Sequence, residues 1–134
     1  MANVISYSAT ISACEKGQQP QHALQLLQEM QYKGILPDVI SYSATISACE
    51  KGQQWQRALG FLDEMRWSRL EPYVITFSAV ISACEKGQGW RRAIGLLEEM
   101  RSQGPQANVI TYSATISACE KGRQWQRALG LFER

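Results

Sequence analysis

The stretch Val4 to Gln19, VISYSATISACEKGQQ, returns letter for letter at Val39 to Gln54. Two looser copies begin at Val74 and Val109, so all four starts lie 35 residues apart, without insertion or deletion. A unit this short cannot enclose a core alone. Its apolar face has to be covered by the next unit, and about three units are the minimum for a stable stack. The 134-residue chain accordingly divides into units at 4–38, 39–73 and 74–108 and a partial fourth at 109–134. Whatever it does must be something a stack of equal units can do.

Each unit carries two helical patterns. Ser6, Ser41, Thr76 and Thr111 place a hydroxyl before a run such as YSATISACEK, where a helix N-cap is expected. Tyr7, Ile11 and Cys14 then fall at i, i+4 and i+7, an apolar stripe, with Ala9 and Ala13 keeping the adjoining face thin. Gly17, Gly52, Gly87 and Gly122 are expected to end this first helix in a left-handed turn. The second helix is clearest in Trp55, Ala58, Leu59, Leu62 and Met65, at i, i+3, i+4, i+7 and i+10. Pro20 stands where the other units have Trp, which sets that position in the first helical turn. Gly34 and Pro37 close the unit, and Arg69 replaces that glycine in the second copy. The expected fold is all-α: tandem 35-residue helix-turn-helix repeats stacked as an α-solenoid.

No apolar run approaches the ~20 residues of a membrane span. The first unit begins at Val4, which leaves no targeting segment before it, and the stop inside the fourth unit suggests a piece of a longer protein. Cys14, Cys49, Cys84 and Cys119 sit at equivalent positions, a helix spacing of roughly 8 to 10 Å apart. That is too far for disulfides or a shared zinc, and they are expected to be buried free thiols. The single histidine, His22, recurs in no other unit and has no repeated acid partner; it reads as a surface residue. No catalytic residue, metal site, cofactor or small-molecule substrate is expected. The net charge is only +2, with the basic residues concentrated in the C-terminal half, a weak sign of a polyanionic partner.

Three linked motifs narrow the kind of solenoid. They are Val4-Ile5-Ser6-Tyr7-Ser8, then Ala23-Leu24-Gln25-Leu26-Leu27-Gln28-Glu29-Met30, then Gly34-Ile35-Leu36-Pro37-Asp38. The Trp-Leu-Gly-Tyr signature of 34-residue tetratricopeptide units is missing. At this period the three motifs resemble the pentatricopeptide repeat family along the whole chain from Val4. The resemblance implies a right-handed α-solenoid that binds single-stranded RNA, one base per repeat, in a chloroplast or mitochondrion, serving RNA processing, stability or translation.

It further implies that the fifth and last residues of each unit select the base. The fifth are Ser8, Ser43, Ser78 and Ser113; the last are Asp38, Tyr73 and Asn108. Family rules imply guanine for Ser8 with Asp38 and adenine for Ser78 with Asn108, a purine-leaning preference, while Tyr73 lies outside the code. Ile5, Ile40, Ile75 and Ile110 would pack on base faces, and Lys16, Lys51, Lys86 and Lys121 would follow phosphates. Each site has an ordinary alternative. Asp38 and Asn108 are also good helix caps, a role compatible with base reading, and a lysine at a helix end also suits the helix dipole. The competing function is a helical-repeat scaffold for protein–protein interaction, which leaves protein partners open. The same Ser, Ile and Lys in every unit suit a periodic ligand better.

Overall fold

The chain folds as this period requires. The structure, a computed structural model, describes residues 3–87, 89–102 and 104–133. Among them are eight helices and no strand: α1 (Val4–Lys16), α2 (Pro20–Tyr32), α3 (Val39–Lys51), α4 (Trp55–Trp67), α5 (Val74–Lys86), α6 (Trp90–Ser102), α7 (Val109–Lys121) and α8 (Trp125–Glu133). Pro20 is the first residue of α2, where its missing N–H leaves no bond unmade. No helix is long and apolar enough to cross a membrane.

The first helices of the repeats, α1, α3, α5 and α7, pack against one another in a continuous row. Each second helix packs its backbone closely only on the first helix of its own repeat and that of the next, and reaches the neighbouring second helix only through long side chains such as Gln31 to Glu64 and Arg66 to Glu99. A double layer whose one row is in contact and whose other row is spread bends toward the contacting row. The odd-numbered helices therefore line the concave side. Small buried residues, Ala44, Ala48, Ala83 and Ala118, let that row close up. The core repeats with the sequence: Ile11, Ile46 and Ile81 from the first helices meet Leu27, Leu62 and Leu97 and Met30, Met65 and Met100 from the second. Burying one such side chain stabilises the stack by about 1.5–3 kcal/mol.

Two local expectations are corrected. The helices begin earlier than the hydroxyls suggested, because the N-caps are Asn3, Asp38, Tyr73 and Asn108, three residues before Ser6, Ser41, Thr76 and Thr111. The side chains of Asn3, Asp38 and Asn108 accept from the backbone N–H of Ser6, Ser41 and Thr111. Ser41 and Thr111 answer with reciprocal bonds that complete capping boxes. Ile5 and its equivalents consequently lie inside the first helical turn, not before it.

The glycines after the first helices are not the left-handed residues. Gly17, Gly52, Gly87 and Gly122 have φ between −83° and −94°, while Gln18, Gln53 and Arg123 take φ of 58–59°. The glycines serve the neighbouring repeat. A Cβ on Gly52 would stand 3.1 Å from Cγ of Pro20, one on Gly87 would overlap the Trp55 ring, and one on Gly122 the Trp90 ring. The first residue of each second helix is seated on the glycine of the following repeat.

Candidate nucleic-acid interface

Side-chain caps fix the first turns of α1, α3 and α7 along the concave row, and these turns and that of α5 present Ile5, Ile40, Ile75 and Ile110. They are 73%, 56%, 55% and 58% exposed. A regular row of uncovered aliphatic side chains is a surface suited to flat apolar groups. Between successive first helices lie shallow clefts. One, of about 140 Å³, brings together Ile40, Ser43, Tyr73 and Ile75; the next, of about 240 Å³, brings together Lys51, Ile75 and Ser78. Residues assigned to base packing, base selection and phosphate contact thus converge along one side.

The joint after the first repeat has the clearest geometry. Ser8, buried on α1, donates to Asp38 Oδ1 at 3.1 Å, and the same oxygen accepts from the Ser41 N–H at 2.9 Å and the Ser41 hydroxyl at 3.0 Å. All three bonds fall on one oxygen. Asp38 Oδ2 has no protein donor among the described residues, so it remains an open acceptor on a half-buried carboxylate. The fifth and last residues of repeat 1 therefore meet directly, the serine orienting the acid.

The second joint differs. Tyr73 offers no side-chain cap, so the buried Thr76 hydroxyl shares a 2.7 Å hydrogen bond with Ser43 instead. Ser43 is buried and engaged, and Tyr73 stands 38% exposed at the cleft edge. At the third joint Asn108 caps α7 through its carbonyl oxygen. Its amide nitrogen and the half-buried Ser78 make no side-chain bond among the described residues. Ser113, on α7, is exposed. Of the fifth serines, Ser8 and Ser43 are 5% and 4% exposed, each held by a neighbour.

The lysines form a ladder with the glutamates of the preceding repeat: Lys51 with Glu15 at 2.5 Å, Lys86 with Glu50 at 3.1 Å, and Lys121 with Glu85 at 3.1 Å. The side chains of these lysines stay 41–47% exposed. Lys16, with no repeat before it, has no ion pair among the described residues. Sequence reasoning missed two parts of this face. Ser12, Ser47 and Ser82 line the clefts beside the assigned residues, and Glu15 and Glu50 share them. The signal was present, because both residue types recur at one offset in all four units.

The cysteines are free thiols. Cys49, Cys84 and Cys119 are buried and Cys14 is half-buried. Burial pushes the thiols of Cys49 and Cys84 up to about 11 and raises that of Cys119, which keeps them neutral and unreactive. Among the described residues no group of three or more His, Cys, Asp or Glu could hold a metal ion.

With this geometry in place, likeness to known proteins can be weighed. A sequence model of the pentatricopeptide repeat domain matches residues 2–52 and 25–86, one of the PPR repeat family matches 72–121, and one of the PPR repeat matches 110–134. No curated protein matches significantly. Among solved structures, the chain is similar to the pentatricopeptide repeat protein PPR10 from maize, at 27% identity and a TM-score of 0.82, over 97% of this chain and 19% of that one. It is similar to PPR10 in complex with an 18-nucleotide psaJ RNA element at 28% identity and a TM-score of 0.82, over 99% and 20%. The PPR domain of the Arabidopsis thaliana protein-only RNase P 1, in complex with tRNA, shares the fold at 15% identity and a TM-score of 0.83, over 93% of this chain and 66% of that one. The chain thus spans about a fifth of the length of PPR10.

Proposed function

We propose, from the premise that this chain belongs to the pentatricopeptide repeat family, that it binds single-stranded RNA along its concave side, one repeat to one base. The observation that carries this reading is the row of four exposed isoleucines, one per repeat, beside the joints where the fifth and last residues of the repeats lie. A base lying between two successive isoleucines would have its edge turned toward the fifth and last residues of one repeat.

In the first repeat, Asp38 Oδ2 is an acceptor-only group and suits the N1–H and N2–H donors of guanine. In the third, Ser78 and the amide of Asn108 can present both a donor and an acceptor, which suits adenine. In the second, the serine is already bound and the closing residue is Tyr73, so the base is stacked without being read. The expected preference is 5′-G-N-A-3′ with the protein N-terminus at the RNA 5′ end. The lysine ladder would follow the phosphates by sharing ammonium groups already paired with glutamate. The role is that of a binding module without catalysis, and the family implies work in chloroplast or mitochondrial RNA processing, stability or translation.

One observation favours the second reading, a protein scaffold. Tyr32, Leu36 and Trp67 are 93%, 84% and 82% exposed at or just after the ends of the second helices. Titration of labelled RNA containing G-N-A against double-stranded DNA and heparin separates the two. Stacking at ~1–3 kcal/mol per base gives about 3–9 kcal/mol gross over three repeats. Micromolar or weaker binding is expected, with a slope of log K against log salt no steeper than about −3. Equal binding to all three polyanions would defeat the reading.

A further inference from the structure

The linker that closes the second repeat, Arg66 to Tyr73, keeps only the proline of its counterpart in the first, Gln31 to Asp38. Each of the two linkers covers a cavity against the second helix of the following repeat, in the same register. The first cavity holds about 300 Å³ and the second about 580 Å³, both of a size that small ligands occupy. Where the first is lined by Gln31, Gly34, Leu36, Tyr42 and Glu64, the second is lined by Arg66, Arg69, Glu71, Phe77 and Glu99.

These exchanges change what the cavity can bind. In the first, the polar groups satisfy one another: the Gln31 amide donates to Glu64 at 3.0 Å, and the Tyr42 hydroxyl donates to the same oxygen at 3.3 Å. In the second, Phe77 has no hydroxyl to donate, and Glu99 accepts from Arg66 at 2.5 Å. Arg69 and Glu71 are left over, and their side chains make no hydrogen bond or ion pair among the described residues. Arg69 also holds φ of 61°, where Gly34 has 76°, a conformation suited to glycine. The folded chain itself gives that arginine no partner.

We propose that this second cavity is a nucleobase site outside the isoleucine row, and that it selects guanine. A guanidinium fork donates two parallel bonds to adjacent acceptors, and a carboxylate accepts from two adjacent donors. Guanine offers both, O6 and N7 to Arg69 and N1–H and N2–H to Glu71. Adenine sets its one donor group between two acceptors, and cytosine and uracil each have a single donor group on that edge, so none of the three serves both side chains. Tyr73, Pro72 and Phe77 supply the apolar walls against which a base would lie.

Tyr73 lines both this cavity and the concave cleft of Ile40 and Ile75. The guanine is therefore that of a free nucleotide, or that of a bound strand at the second repeat, where the concave residues read no base and a guanine turned past the Tyr73 ring enters the cavity. The strand case rests on the RNA reading above; the free-nucleotide case does not.

Two titrations test this. One takes the chain alone with GMP, AMP and CMP by calorimetry; the other takes RNAs containing G-G-A, G-A-A and G-C-A. The expected result is a preference for guanine over adenine of about tenfold, the scale of one good bidentate contact, seen with GMP for a free nucleotide and at the middle RNA position for a strand. Arg69→Gly, which restores the residue of the first repeat, and Glu71→Gln, which removes one acceptor, should each abolish it. Arg69→Gly should do so without lowering the melting temperature, because glycine suits that backbone. No guanine preference in either titration, or one that survives both variants, would overturn the site. The two proposals fail separately: G and A preferred at the first and third RNA positions without any guanine preference at this cavity defeats the cavity alone, and a chain that binds GMP through Arg69 but no RNA defeats only the function proposed above.

Discussion

Helices α1 and α3 are one sequence in two surroundings. α1 buries Tyr7, Ser8 and Ile11, whereas α3 buries those equivalents, Tyr42, Ser43 and Ile46, and also Ser41, Ala44, Thr45, Ala48 and Cys49. The shared three face the helix's own partner and the following repeat; the extra five face the repeat that α1 lacks. Even the shared serine behaves differently. Ser8 donates to Asp38, and Ser43 bonds Thr76, because the residue closing the second repeat is Tyr73. Burial and hydrogen bonding here belong to the position in the stack as much as to the letters.

The glycine after the first helix gives the largest test of that difference. Gly87→Ala forces a Cβ into the Trp55 ring and should destabilise the chain by more than about 3 kcal/mol in urea denaturation, beyond the usual overpacking range. Gly52→Ala meets Pro20 at 3.1 Å and should cost about 1 kcal/mol. Gly17→Ala, in the same local sequence with nothing seated on it, should stay within about 0.5 kcal/mol of the parent. Equal effects at all three sites would make the glycines a backbone requirement and erase the contrast.

The thiols sharpen the same comparison by pH. Cys49 and Cys84 are held near 11 against an ordinary value of 9, so both stay neutral in the folded chain while the unfolded chain ionises. Their contribution is fully present below pH 9 and is lost as pH rises from 9 to 11, by about 2–3 kcal/mol per thiol at most. Replacing both with Ala should flatten that alkaline decline in thermal melts. Half-buried Cys14, in an identical stretch, should be alkylated first in the native chain. Protection of Cys14 equal to that of Cys49 in dilute monomer would contradict the burial difference.

Much of the architecture was legible because it is local. The Tyr7–Ile11–Cys14 stripe needs only neighbouring letters, and the 35-residue period and the Pro20 boundary need only the units laid side by side. The N-cap was misplaced by three residues because a capping box puts good capping types at both ends, Asp38 and Ser41, and either alone fits. The glycine's task was hidden because its reason is a ring from a residue 32 positions earlier, Trp55 under Gly87. A lysine at a helix end suited either the dipole or, by the resemblance, a phosphate, and its pairing with a glutamate one repeat back appears only when the stack is built. Of the candidate interface, the return of one isoleucine per unit was legible in the letters while the role given to it came from the family resemblance; the unequal fates of the four serines were not legible, because they depend on which residue closes each repeat.

Asp38 separates base reading from capping most directly. In Asp38→Asn the carbonyl oxygen can keep the bonds from Ser8 and Ser41, as Asn108 does for Thr111, and the amide nitrogen replaces the open acceptor Oδ2. Stability should therefore change by no more than a few tenths of a kcal/mol, about what one good cap exchanged for another produces. The measurement is binding of the parent and Asp38→Asn to RNAs that differ only at the first position of G-N-A. The account predicts that preference there moves from G toward A by about 1 kcal/mol, the scale of one net hydrogen bond, with the third position untouched. An equal change for every RNA, or a lower melting temperature with no change in preference, would make Asp38 a helix cap alone and contradict it.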